Sequence, residues 1–171
     1  MNGKIVGIVI MLSALIAGAG LYYLQIYGYY REVPGAAVRL VSVVSQQPED
    51  ITATNLRAID ADSSPIRYRA CFDTDLSLAM ASETYTLSDH DTPRNAPGWF
   101  DCFNAEALGA EIEAGTALTF LGTKNIHYGV DSIVAITDDG RGYVWHELNE
   151  CGEKSYDGTV IGEACPERPA E

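Results

Sequence analysis

The sequence predicts an α+β protein: a single N-terminal transmembrane helix followed by one small extracytoplasmic domain with a mainly antiparallel sheet and one or two helices. Three observations carry that reading. Residues 5–30 hold no charged side chain, the remainder breaks into short β-branched runs separated by turn signals, and residues 105–114 have helical spacing between recognisable end signals. The expected division is a short cytoplasmic segment 1–4, a membrane helix 5–30, a linker 31–37, a folded domain 38–165 and a disordered tail 166–171.

At 1.5 Å per residue, a helix over residues 5–26 is roughly 33 Å long, enough to cross the hydrocarbon layer with some tilt. Eleven Leu, Ile and Val side chains in that stretch favour lipid, and its polar residues are Ser13 and Gln25. A cleavable signal peptide is the competing reading, because Lys4 precedes the apolar run and Ala17-Gly18-Ala19 fits a small-residue cleavage site. Retention is favoured: Leu21, Leu24 and Ile26 continue the run past that site, and Tyr22, Tyr23, Tyr27, Tyr29 and Tyr30 cluster where an interfacial aromatic belt would lie. Gly3-x-x-x-Gly7 and Ala14-x-x-x-Gly18 offer small faces for helix-helix association in lipid.

Val33-Pro34-Gly35 ends the helix, since proline cannot extend the hydrogen-bond ladder. Residues 38–44 read as a strand, 45–50 as a polar turn, and 56–61 and 66–72 as two further strands. In the last of these, alternation sets Ile66, Tyr68, Ala70 and Phe72 on one face and Arg67 and Arg69 on the other. Residues 76–86 fit a short helix or a strand. Residues 88–97 form a loop, punctuated by Pro93 and Pro97. Asn104 is suited to cap a helix over 105–114, with Glu106 at its positive end and Gly115 at its stop. Residues 116–121 are a strand, and 130–137 pair with 142–148 across Asp138-Asp139-Gly140-Arg141, the strongest hairpin signal in the chain.

Cys71, Cys102, Cys151 and Cys165 form no C-x-x-C pairing, which argues against zinc, thioredoxin-like and haem-attachment chemistry. An even set at wide spacing behind an export signal reads as two disulfides in an oxidising compartment. Three connectivities are open. We expect Cys71 with Cys102 and Cys151 with Cys165, because the second pair brackets a short Gly-containing segment with little core of its own; buried free thiols are the alternative. The basic bias between Lys4 and the pair Arg31 and Arg39 is small, so the cysteines set the orientation. The N-terminus then lies inside, and the domain lies in the periplasm, anchored to the inner (cytoplasmic) membrane.

Of 11 basic and 24 acidic side chains, all but Lys4 follow residue 30, and the chain carries a formal charge of −13. Such a surface repels phosphates, so nucleic acid is excluded as a partner, while basic proteins or cations are permitted. Asp60 and Asp62 could hold a hard cation, but Ser63-Ser64-Pro65 departs from the EF-hand pattern and a side-chain-closed turn is the simpler role. His90, between Asp89 and Asp91, would bind metal with His127 or His146 only if the fold gathers them. No cofactor and no metal is expected. The run Gly98-Trp99-Phe100-Asp101-Cys102-Phe103 packs against a disulfide or offers an exposed edge; in the second case Trp99 and Phe100 are the candidate partner contacts.

Three blocks look familiar: residues 59–72, residues 96–103 and Gly142-Tyr143-Val144-Trp145-His146. With them the chain resembles, nearly end to end, an uncharacterised bacterial family of short membrane-anchored proteins, a domain of unknown function whose members are sometimes labelled histidine kinase. The resemblance implies an exported, anchored domain with four cysteines, and no mechanism. The kinase label fails on the residues. His146-Glu147-Leu148 resembles the start of a phosphoacceptor motif, but Asn149-Glu150-Cys151 follows it, and no nucleotide-binding domain is expected in the few residues beyond. No G-x-S-x-G elbow is present either. The leading expectation is therefore a non-enzymatic anchored domain that docks on or assists another envelope protein. The alternatives are a periplasmic redox or metal-dependent enzyme using the Cys or His/Asp groups, and an extracytoplasmic sensing or ligand-binding module.

Overall fold

Helix α1 (Gly3–Tyr23) starts at Asn2, whose side chain accepts from the Lys4 amide, and passes directly into a π-helical turn, Leu24–Gly28. The computed structural model describes residues 2–163 and 165–167, so part of the tail expected at 166–171 lies outside the described residues. No residue of α1 is buried against the domain, and the stretch Gly3–Gly28 has a mean hydropathy of 2.3 over its most apolar window. The Ser13 hydroxyl donates to the Ile10 carbonyl at 2.9 Å, so it is satisfied within the helix. By length and composition this helix suggests a membrane anchor or a signal sequence, and two disulfides point to an oxidising compartment.

The rest is an α+β domain with a mainly antiparallel sheet and, among the described residues, two further helices. Strands β1 (Arg31–Val33), β4 (Thr54–Asp60), β5 (Arg69–Asp73), β6 (Ala117–His127), β7 (Val130–Thr137) and β8 (Arg141–Leu148) form a six-stranded sheet in the order β1-β4-β5-β8-β7-β6, all neighbours antiparallel. Strands β2 (Arg39–Val41) and β3 (Pro48–Asp50) make a separate two-stranded ribbon. The segment expected to be a pure linker thus supplies an edge strand, because Arg31 to Val33 pair with Asp60 to Ala58.

The sheet is covered on both faces, which explains why every residue of β7 is buried. Ile133, Ala135, Tyr143 and Trp145 face Phe100, Phe103 and Leu108 of the loop and helix α3 (Ala105–Glu113). Val134, Ile136 and Val144 face Leu40 of β2 and Ala81 of helix α2 (Leu78–Thr84). The ambiguous 76–86 segment is therefore helical where Ser77 caps it through the Met80 amide. Asn104 caps α3 by accepting from Ala107 at 3.1 Å.

Two departures from the expected strands have local causes. Strand β5 begins at Arg69 because amides of Ser64 and Arg67 donate to the carbonyls of Ala61 and Ser64, winding residues 61–67 into turns. Strand β6 runs six residues further than expected, with register shifts after Leu121 and Thr123. Between them a Cβ on Gly122 would lie 3.0 Å from the Ser132 carbonyl oxygen and 3.1 Å from that of Arg39, where β2 crosses the sheet.

Gly142 pairs with Phe72 across β5 and β8, and a Cβ there would sit 2.1 Å from the Phe72 ring. Phe72 is itself buried, so its ring can give way only by displacing its core neighbours. Gly142→Val is expected to destabilise the domain by about 1 to 3 kcal/mol through overpacking, read as a lower midpoint in thermal or urea denaturation. An unchanged midpoint would mean that the ring has room to move.

Candidate functional site

Antiparallel register collects one end of β4, β5, β6, β7 and β8 at the point where the apolar helix enters. Arg31 lies opposite Asp60, Ile59 opposite Arg69, Arg69 opposite Trp145, and Val130 opposite both Leu148 and His127. Three features occupy this end: a histidine cavity, the helix junction and a disulfide-held loop.

His146, on β8, is 5% exposed and stacks on Tyr68 with centroids 4.8 Å apart and planes at 16°. Its Nδ1 lies 2.8 Å from the Pro65 carbonyl oxygen, which can only accept, so Nδ1 carries the proton. The His127 ring is 6.0 Å away, and both histidines, Asp60 and Tyr68 line a cavity of about 360 Å³. Burial pushes the His146 imidazole below its ordinary value of 6.5, against the opposing Pro65 hydrogen bond, and His127 adds to the lowering. Burial also raises the Tyr68 phenol. The fold thus gathers three of the five candidate metal ligands and separates the others. Asp62 pairs with Arg31 at the surface, while His90 borders a different cavity with Glu150 and Glu163. Among the described residues no three His, Cys, Asp or Glu side chains are placed to hold a metal ion.

At the junction, the Trp99 indole N–H donates to the Ile26 carbonyl at 2.7 Å, capping a helix-terminal acceptor that the π-helical turn leaves available. The indole also meets Tyr30 and Phe100 edge to face, each at 6.3 Å. Phe100 is only 2% exposed, which corrects the expectation that it meets a partner: it is core, because the loop folds inward onto Trp145's side of the sheet. Trp99 is half-buried and its N–H is committed to this chain's own helix. The loop is fixed by the Cys71–Cys102 disulfide and by Arg69, whose guanidinium donates to the carbonyls of Arg94, Asn95, Ile66 and Tyr68 at 2.6 to 3.2 Å.

The Cys151–Cys165 disulfide closes the last segment, with Cα atoms 4.9 Å apart. Inside it Lys154 bridges Val160, Ser155 donates to Thr159 at 2.8 Å, and the tip Tyr156-Asp157-Gly158 turns with Gly158 at φ +87°. The Asp157 carboxylate accepts from the Thr159 amide at 3.0 Å, which lowers its pKa. Lys124 pairs with Glu163 and ties the loop to β6. Tyr156 is fully exposed, and Val160 and Ile161 are more than half exposed. Sequence reasoning missed these three residues; Tyr-Asp-Gly inside a Cys-bracketed segment was the signal that could have found them.

An ordinary histidine in the unfolded chain takes up a proton near 6.5, while His146 in the folded domain resists it. The unfolded state then binds more protons, so stability is expected to fall as pH drops through 6.5 and to level off below the depressed native value. Thermal denaturation between pH 7.5 and 5 should show that decline in the native chain and a flatter profile in His146→Phe. Parallel profiles would assign the acid sensitivity elsewhere.

No curated protein and no solved structure matches the chain. A family model matches residues 38–166, a span that contains both disulfides, α2, α3 and all strands except β1, and that begins after the apolar helix. The chain therefore belongs to DUF6446, a family of unknown function.

Proposed function

We propose that this protein is a non-enzymatic, single-pass anchor protein of the inner membrane, with its N-terminus inside and its domain in the periplasm, that docks on another envelope protein through the Cys151–Cys165 loop. The observation that carries this reading is the fully exposed Tyr156 beside exposed Val160 and Ile161, on a loop already held by a disulfide, a bridge and an ion pair. A pre-ordered loop gives up little conformational entropy on binding, and tyrosine gives large contact area with few rotatable bonds. Glu150, Glu153, Asp157, Glu163 and Glu167 surround it against Lys154, so the partner surface is basic. Retention of the helix is supported by its unbroken apolar surface and by its attachment to the domain through Trp99. Gly3, Gly7 and Gly18 have open space beside them, which suits a second contact with a partner's helix.

The test is a photo-crosslinking residue at Val160, in the full chain in its native membrane. One discrete protein adduct is expected, its yield falling with added salt, and Tyr156→Ala should reduce that yield in line with a loss of about 2 kcal/mol of binding. An adduct pattern matching that of a crosslinker at Glu113, far from the loop, or insensitivity to Tyr156→Ala, would sink the docking reading. Intact mass of the membrane-extracted protein tests the anchor separately, since a product starting near Gly20 would mean that the helix is cleaved.

A further inference from the structure

Beneath the Trp99 contact, between the end of the apolar helix and the domain, lies a cavity of about 580 Å³ whose lining includes Gln25, Ile26, Tyr30, Arg67, Arg69 and Arg94. Its lining contains three arginines and no Asp or Glu, in a chain whose formal charge is −13. The volume falls within the range of ordinary small-ligand sites.

The three guanidinium groups differ in what holds them. Arg94 pairs with Glu147 through two hydrogen bonds, one of 2.8 Å. Arg69 is 3% exposed and, among the described residues, meets carbonyl oxygens and the Phe103 ring but no carboxylate. Arg67 lies over the rings of Tyr30 and Tyr29 at 5.5 and 6.0 Å; its Nη1 is buried with no hydrogen-bond partner, and no acidic side chain pairs with it among the described residues. Burial pushes the Arg69 guanidinium down to about 10, so the charge persists at neutral pH and is held at a cost. A buried Arg69 and a half-buried Arg67 facing one cavity, neither joined to a carboxylate in an ion pair among the described residues, are best relieved by an anion entering it.

We propose that this junction cavity binds a phosphate-bearing anion, held by the Arg67 and Arg69 guanidinium groups. The unpartnered Arg67 Nη1 supplies a charge-assisted hydrogen bond to a phosphate oxygen, Arg69 adds its charge and the Nη2 donors that its four carbonyl bonds leave over, and Asn95, Ser64 and Tyr30 are further polar residues around the cavity. The same chemistry is offered by a lipid headgroup or by a soluble phosphate. The wall formed by Gln25 and Ile26 favours the headgroup, because the end of a membrane-crossing helix stands at headgroup depth. That source rests on the anchor reading above; phosphate recognition itself does not.

The full chain in detergent is titrated with inorganic phosphate and with glycerol 1-phosphate by calorimetry. In parallel it is placed in nanodiscs of phosphatidylcholine alone or with one-third phosphatidylglycerol, and retained lipid is counted by native mass spectrometry. Selective retention of phosphatidylglycerol identifies a headgroup site, and saturable binding of the soluble phosphates without such retention identifies a free-phosphate site; either supports the proposal. Arg67→Gln should weaken the observed binding about tenfold or more, Arg67→Lys should restore part of it, and Arg57→Gln, outside the cavity, should leave it unchanged. Circular dichroism melts verify that each variant is folded. Binding by neither arm, or equal binding by Arg67→Gln and the native chain, would overturn the proposal. Those outcomes leave the crosslinking at Val160 untouched, so the two ideas fail independently.

Discussion

One face of strand β5 grips the segment 94–102 twice, and the domain's relation to its helix depends on that grip. Arg69 gathers the carbonyls of residues 94 and 95, and two residues further along the same face Cys71 is bonded to Cys102. Between those anchor points lies Trp99, which reaches out to the Ile26 carbonyl. Closing a loop of 31 residues is worth on the order of 3 to 4 kcal/mol in the chain-entropy account. Here the more important consequence is positional, since together with the Arg69 hydrogen bonds and the burial of Phe100 it gives a half-buried tryptophan a fixed support from which to hold a helix end.

Charge is the property for which the whole-chain number misleads most. A balance of −13 is an argument against binding along a nucleic-acid backbone, which needs an extended basic surface. It says nothing about a local cleft, where the nearest few charged groups dominate. Arg67, Arg69 and Arg94 are separated in sequence by up to 27 residues and are brought together by the turn at 61–67 and by the loop fixed to β5. Alternation set Arg67 and Arg69 on the face opposite Ile66, Tyr68, Ala70 and Phe72, but period alone does not say what covers that face. Arg69 lies buried under a loop, and its partners at residues 94 and 95 were invisible until that loop was placed.

The candidate contact residues illustrate the same limit. A tryptophan beside a phenylalanine near a cysteine is consistent with core or with an exposed edge, and the choice depends on which way the loop folds. It folds inward: Phe100 enters the core and Trp99 is turned toward the chain's own helix. Tyr156, Val160 and Ile161 were passed over because they form no long periodic pattern, yet a disulfide and one bridge suffice to display them. The histidines were legible as chemistry but not as a group. His127 and His146 approach because β6 extends six residues beyond its apolar run and pairs with β7, which carries its C-terminal end to the same end of the sheet as that of β8.

Local physics alone determined the apolar helix, the Asn104 cap of α3, the β7-β8 hairpin around Gly140 and the α+β class, since each depends on neighbours within a few residues: continuous hydrophobicity, a side chain within reach of a free amide, a residue tolerant of positive φ. Tertiary structure decided the edge strand at Arg31–Val33, the helical state of α2, the burial of Arg69 and the gathering of arginines at the helix junction. Those features are fixed by which surface covers which, and coverage is set by long-range packing that no short stretch of the chain encodes by itself.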